Sequence, residues 1–485
     1  MKSNDIKAVL RFIGIMLIAE GGLMALCLVP ALHFNDGTAV AVAACSGLTL
    51  VVGTILRLVF GHYRKIEDRR MSYLLVTILW LVLTLFGTLP FLATNATDSF
   101  TLALFESMSG ITTTGATIFA DVAALPASIL LWRSMLQWFG GFGIVLLVLA
   151  ITPRLGINRY ALYTAEASGA DNTGKTAVKT SVTVRRTLAI YLALTLIFIV
   201  ALRLSGMQIW DAVCLTFTNI SSGGFSVASD GIASYTALQQ YLLAAAMLLS
   251  GVNFSLLYLF FTFRWRKIGH KLDQVTFYLL LCLLAVIATT IALHIGNGLD
   301  IENSIRLATV QSISSLTTTG TVAADTSLWP VPLTFMLLML SLCGGMAGST
   351  SGGLKVMRVL ILLRNARSIF LGRMHPRAIN RVRLNGRPVS SHIRANVMVI
   401  FLVFVIALMV GTMLLMLCGI DATEAIGAAI GCMTGYGPGL GPSGGFGSYS
   451  AFTPAALWLC SAMMLLGRLE CMTVLVLFLP RFWRR

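Results

Sequence analysis

Four short, glycine-centred, hydroxyl-rich runs interrupt an apolar background: Thr113-Thr114-Gly115-Ala116, Ser221-Ser222-Gly223-Gly224, Thr318-Thr319-Gly320-Thr321 and Met433-Thr434-Gly435-Tyr436. The chemistry open to such runs is the holding of a dehydrated monovalent cation, because rings of backbone carbonyls can replace a hydration shell. Turning successive carbonyls toward one axis requires backbone angles, positive φ among them, that glycine adopts at little cost. Gly115, Gly223, Gly320 and Gly435 supply that freedom at intervals of roughly a hundred residues, the mark of duplicated units. The hydroxyls of Thr114, Ser222, Thr319 and Thr434 are expected to close the inner end of the coordination column. A single run is explained equally well by small residues that let membrane helices pack closely. Four runs, each after a short helical stretch, point to a pore filter.

Two further features stand out. Gly344-Gly345-Met346-Ala347-Gly348-Ser349-Thr350-Ser351-Gly352-Gly353 places five glycines in ten residues halfway along an apolar segment. Glycine costs about 1 kcal/mol against alanine inside a helix, so the helix is expected to break here; a glycine-rich packing face is the alternative. Arg468 lies fourteen residues past Pro454, roughly 21 Å along a helix rising 1.5 Å per residue. A centrally placed arginine costs about 2.5–3.5 kcal/mol on insertion scales, so it needs a partner or a pore. Carbonyls of the 344–353 segment and Glu20 are the candidates, whereas Glu470 points to another helix face. Gly344, Gly345, Gly348, Gly352, Gly353 and Arg468 are therefore expected to form a gate that limits flow until a cytoplasmic signal moves the loop.

The elements that must position these residues belong to a membrane. With 57% hydrophobic and 11% charged residues and a mean hydropathy of +0.86, the chain is far from the roughly 25% charged of soluble proteins. A spanning helix takes about twenty apolar residues, and spans are expected near 9–32, 37–60, 71–93, 127–152, 183–205, 234–263, 273–296, 330–363, 393–418 and 453–480. Shorter stretches, Phe100–Ile111, Ile209–Ile220, Ile301–Leu316 and Ala422–Met433, each end at a glycine run. The predicted fold class is an all-α polytopic membrane protein: two N-terminal helices (1–70), then four helix–pore-loop–helix repeats around one central pore (71–152, 153–263, 264–363 and 364–485). Non-helical backbone at membrane depth is tolerated only inside protein or beside a water-filled cavity, so the four loops are expected to share one.

The net charge of +16 does not argue for nucleic acid, because its basic residues gather on alternate segments: the N-terminus, 57–70, 154–186, 264–271, 355–394 and the C-terminal arginines. The positive-inside rule makes that face, with both termini, cytoplasmic. The opposite loops carry Asp36, Asp98, Glu106, Asp121, Asp211, Asp230, Asp300, Glu302, Asp325, Asp421 and Glu424, which would concentrate cations at a pore mouth.

The run of two helices plus four helix–loop–helix units, with Thr-Thr-Gly-Ala, Ser-Ser-Gly-Gly-Phe, Thr-Thr-Gly-Thr and Thr-Gly-Tyr-Gly-Pro loops, resembles the Trk/Ktr/HKT superfamily of potassium transporters. The N-terminal pair makes it most similar to the bacterial TrkH family of membrane subunits. The resemblance covers essentially the whole chain. It implies K⁺ as the transported ion, with Gly115, Gly223, Gly320 and Gly435 lining the filter. It also implies an obstructing loop at 344–353, a basic residue like Arg468, a homodimer in the bacterial inner membrane, and a cytosolic TrkA-type nucleotide-binding ring as regulator. Only Thr434-Gly435-Tyr436-Gly437 approaches the potassium-channel signature. Ala116, Gly224 and Thr321 replace its tyrosine elsewhere, so only moderate K⁺ over Na⁺ discrimination is expected. Secondary active K⁺ symport coupled to H⁺ or Na⁺ is the alternative.

Other signals carry less. Gly169-Ala170-Asp171-Asn172-Thr173-Gly174-Lys175-Thr176 fits the phosphate-loop pattern, but a phosphate loop needs a strand before it and a helix after it in an α/β sheet, and no such domain is expected here. Nine cysteines without Cys-x-x-Cys spacing and six scattered histidines offer no metal or redox motif. With no nucleophile–base spacing and no acidic pair at membrane depth, an enzyme and a catalytic cofactor are not expected.

Overall fold

A computed structural model describes residues 3–63, 69–155, 176–263, 272–375, 377 and 381–483, the backbone alone at 3, 69, 144–155 and 176–183. Among the described residues the regular secondary structure is helical apart from a two-residue antiparallel ribbon, Arg383–Leu384 with Arg387–Pro388. Among the described residues, six helical segments are long and apolar enough to cross a membrane: Asn4–His33, Ala39–Val59, Arg70–Ala93, Val184–Leu204, Asp273–Gly296 and Ser391–Leu417. The fourth expected span is the helix Ala127–Leu155. The eighth is two helices, Val331–Cys343 and Val356–Met374, interrupted at the glycine-rich segment.

Two spans expected to be continuous are not. Ala237–Ser250 and Phe254–Phe261 meet at 109°, and Pro454–Arg468 and Met472–Phe478 at 104°. In the first, Asn253 starts the new helix by accepting from the Ser255 and Leu256 N–H groups at 2.8 and 3.3 Å. In the second, Glu470 and Cys471 take φ of 57° and 48°, so Arg468 ends a helix instead of lying within one.

The four short helices are Phe100–Ile111, Ile209–Ile220, Ile301–Leu316 and Ala422–Thr434, the last one residue longer than its sequence suggested. All four are buried over their C-terminal halves. The main core joins the N-terminal helices to residues of all four short helices, among them Phe105, Leu215, Ile313 and Ala428.

Candidate functional site

Each short helix ends in a turn that sets the register of its loop. The hydroxyls of Thr112, Thr317 and Thr434 donate to the carbonyls of Met108, Ile313 and Ile430 at 2.6–2.8 Å, and Ser221 donates to Thr218 at 3.1 Å. The next residue in each loop, Thr113, Ser222, Thr318 and Gly435, has φ of 53°, 57°, 53° and 72°, and two residues on Gly115, Gly224, Gly320 and Gly437 have 84°, 79°, 81° and 90°. The backbone therefore repeats four times, with Gly224 and Gly437 as the counterparts of Gly115 and Gly320.

This corrects the glycine-to-glycine alignment of the sequence. Gly223 and Gly435 remain in the loops but occupy other levels. Gly223 stands with Thr114, Thr319 and Tyr436, and Gly435 with Thr113, Ser222 and Thr318. The tyrosine counterparts are thus Thr114, Gly223 and Thr319, not Ala116, Gly224 and Thr321. Sequence comparison missed the shift because the second and fourth runs each offer two glycines; backbone handedness alone chooses between them.

The four counterparts close a ring. A β-carbon at Gly115 would overlap the carbonyl oxygen of Gly223; at Gly224, that of Thr319; at Gly320, that of Tyr436; and at Gly437, that of Thr114. Each loop touches the next, and the fourth returns to the first. Gly115, Gly224, Gly320 and Gly437 also line one cavity, with Arg133 and Tyr449.

Different side chains hold each joint of the ring. Between the first and second loops, Gln137 donates to the Gly223 carbonyl at 2.8 Å and accepts from Phe225 N–H at 3.1 Å. Between the second and third, Thr321 donates to Asn219 Oδ1 at 2.8 Å. Gln311 Nε2 and Ser315 Oγ both donate to the Tyr436 hydroxyl at 3.1 Å, joining the third to the fourth. Tyr449 N–H donates to Thr117 O at 2.9 Å and its hydroxyl to Gly437 O at 2.8 Å, which ties the fourth to the first.

The expected inner ring of four hydroxyls is not formed as such. Thr114 and Thr319 pair within their own loops with Thr112 and Thr317, at 2.9 and 2.7 Å. The hydroxyls at one level are Thr113, Ser222 and Thr318, with Gly435 completing the set.

The 344–353 segment is an irregular loop seated against that level. Its Thr350 hydroxyl lies 2.8 Å from Ser222 Oγ, Gly352 N–H donates to Thr318 Oγ1 at 2.6 Å, and Gly353 N–H donates to the Thr434 carbonyl at 2.9 Å. Gly344, Gly348 and Gly353 have positive φ, while Gly345 and Gly352 lie too close to Ser351 and the Thr434 carbonyl to carry a β-carbon in place. The broken sixth span anchors the other side: Asn253 Nδ2 donates to Ala347 O at 2.6 Å, Phe254 N–H to Gly348 O at 3.1 Å, and Met346 N–H to Gly251 O at 2.9 Å. Lys355 Nζ donates to the Ser351 carbonyl.

Arg468 is buried and reaches this loop, with Nη1 donating to Thr350 O at 2.8 Å and Nη2 to Gly140 O at 3.4 Å. Of the two candidate partners, the loop carbonyl holds it and Glu20 does not. Glu20 is wholly buried, with neither carboxylate oxygen bonded among the described residues. Glu470 pairs instead with Arg358 Nη2 at 2.7 Å.

Glu106 is not on an acidic outer surface. It is buried and pairs with Arg133 at 2.8 Å. A cue in the sequence is Arg133 itself, a basic residue outside the segments where most other basic residues gather. The Gly169–Thr176 run lies outside the described residues up to Lys175. No group of three or more His, Cys, Asp or Glu fit to hold a metal occurs among the described residues.

Residues 41–485 match the family described as "TrkH: Cation transport protein". The chain is 34% identical to the Trk system potassium uptake protein TrkH of Halomonas elongata, covering 99% of this chain and 100% of that one. It is 32% identical to the protein of the same name from Escherichia coli K12, over 99% of each. The crystal structure of the potassium transporter TrkH from Vibrio parahaemolyticus superposes with a TM-score of 0.88 at 30% identity, covering 99% of this chain and 100% of that one.

Proposed function

This chain belongs to the TrkH family of cation transport proteins, and from that premise we propose that it takes up K⁺ across the bacterial cytoplasmic membrane through a gated, moderately K⁺-selective pore. One observation carries the reading: four loops of matching backbone geometry close on one another, and the 344–353 loop bonds the level next to them. Four same-sense loops around one axis suit a passive pathway better than the inverted repeats common in coupled transporters.

K⁺ is the cargo, exchanging its hydration shell for backbone oxygens of the four loops. The path runs by Thr113, Thr114 and Gly115, by Ser222, Gly223 and Gly224, by Thr318, Thr319 and Gly320, and by Gly435, Tyr436 and Gly437, a register that rests on the matching backbone angles; Ser221, Met433 and Thr434 end the short helices that lead into it. The short helices direct their C-terminal, partly negative ends toward the loops, which favours a cation there. The 344–353 loop and Arg468 are the gate. The relatives' names speak of a "Trk system", and we assign the signal that moves the loop to a cytosolic TrkA-type ring docking on the basic face, with a homodimer as the membrane unit.

Purified protein in liposomes tests the reading. K⁺ is expected to move down its own gradient with no H⁺ or Na⁺ gradient present. Uptake that occurs only with such a gradient selects the symport alternative, and no K⁺ movement under either condition removes the transport reading.

A further inference from the structure

The ring has four joints, and only one of them is held by charge among the described residues. Glu106, on the first short helix, and Arg133, on the helix that follows the first loop, are 0% and 1% exposed. Glu106 Oε1 receives Arg133 Nε at 2.8 Å, while Oε2 accepts from the Ile118 N–H at 3.0 Å. The Thr117 hydroxyl lies 3.1 Å from both carboxylate oxygens and from Arg133 Nη2. Arg133 then crosses to the second loop, where Nη1 donates to Ser226 O at 3.1 Å and the guanidinium lies over the Phe225 ring at 4.1 Å. The pair therefore grips the chain just past Gly115 and just past Gly224.

Among the described residues nothing equivalent stands in the other units. Glu106 precedes Thr112 as Leu215 precedes Ser221, Gln311 precedes Thr317 and Ala428 precedes Thr434. The other joints use neutral hydrogen bonds and the Tyr449–Phe105 ring contact. A buried ion pair is a poor source of stability, because desolvation offsets its attraction and apolar replacements of similar volume are often as stable. What it offers is direction: charge-assisted bonds are short, and the guanidinium fork is planar and rigid.

We propose that Glu106 and Arg133 are positioning residues for ion discrimination, a charged strut that sets the spacing of the first and second filter loops. The proposal rests on the transport reading above. Discrimination by backbone oxygens depends on where those oxygens are held, so slack at this joint admits Na⁺ while K⁺ still passes.

The test is K⁺ and Na⁺ flux of the purified full-length protein in liposomes, for wild type, Glu106→Gln, Arg133→Lys and the double variant Glu106→Met with Arg133→Met. The K⁺/Na⁺ flux ratio is expected to fall about tenfold in Glu106→Gln and in the double variant, the scale of one lost charge-assisted bond, with K⁺ flux retained. Arg133→Lys keeps the charge but loses the fork, and an intermediate ratio is expected. The double variant leaves no unpaired charge, so it keeps the question open to measurement if a single variant does not fold. A purely structural pair would lower the amount of folded protein and leave the ratio of the folded fraction unchanged; that result in the double variant overturns the proposal. A wild type that discriminates beside a variant that discriminates equally removes only the strut, whereas a wild type that carries no K⁺ removes the transport reading and the strut with it.

Discussion

The hydroxyl of Thr350 lies 2.8 Å from that of Ser222, so the glycine-rich 344–353 loop touches the loop that follows the second short helix directly. The same hydroxyl donates toward the Ile220 carbonyl at 3.0 Å. Under the proposed pore function, a loop fastened there would block the pathway without any helix having to close over it.

Thr350→Val keeps the shape of the side chain and removes these bonds, each worth about 1 kcal/mol net. K⁺ flux without any cytosolic partner is expected to rise several-fold, and shortening 344–353 to raise it further. Tracer uptake into liposomes measures both. Unchanged flux in a well-folded deletion removes the loop from the mechanism.

Arg468→Ala releases the Thr350 carbonyl and is expected to raise unstimulated flux by about tenfold, given roughly 1.5–3 kcal/mol for a hydrogen bond to a charged group. Glu20→Gln is expected to leave flux and thermal stability unchanged, since the carboxylate has no bonded partner among the described residues. A parallel effect of the two substitutions would instead reveal an Arg468–Glu20 ion pair.

The structural register makes its own prediction. Gly437→Ala forces a β-carbon into the Thr114 carbonyl, whereas one at Gly435 meets nothing nearer than Thr113 O at 3.8 Å. Gly435→Ala then costs only the left-handed backbone penalty, about 1–2 kcal/mol, while Gly437→Ala adds steric displacement of the ring. Comparing K⁺/Na⁺ flux ratios decides the matter, and greater damage at Gly435 would restore the glycine-to-glycine alignment.

Tyr436→Phe leaves the buried donors of Gln311 and Ser315 without their shared acceptor. Each unsatisfied buried group costs about 1–3 kcal/mol, so a lower melting temperature is expected in detergent. An unchanged melting curve would show that the third and fourth loops do not depend on this bond.

Asp36 gives a pH dependence outside the membrane. Partial burial raises its carboxyl, but hydrogen bonds from Thr38 and Ser128 outweigh that and hold it below the usual aspartate value. A depressed carboxylate stabilises the fold above its unfolded pKa of about 3.9 and loses that contribution as the pH falls through the folded value. Melting temperature is expected to drop below about pH 4, and less steeply in Asp36→Asn. Equal slopes in the two proteins would exclude the residue.

The chain alone determined the architecture around the site. Runs of apolar residues marked the long helices, and a composition change marked each short one, because a membrane imposes length and hydrophobicity residue by residue. The three short helices Phe100–Ile111, Ile209–Ile220 and Ile301–Leu316 have the bounds their sequence suggested, and glycine density alone located the break at 344–353. What only the tertiary structure decided are relationships between distant segments. The bends at 250–253 and 469–471 are invisible in composition; at the first, the freed backbone is satisfied by a distant part of the chain, Gly251 by Met346 and Phe254 by Gly348. The choice of Gly224 and Gly437 over Gly223 and Gly435, the seat of Arg468 and the burial of Glu106 depend on which group stands opposite. No single segment encodes its own partner, so only the closed ring could settle them.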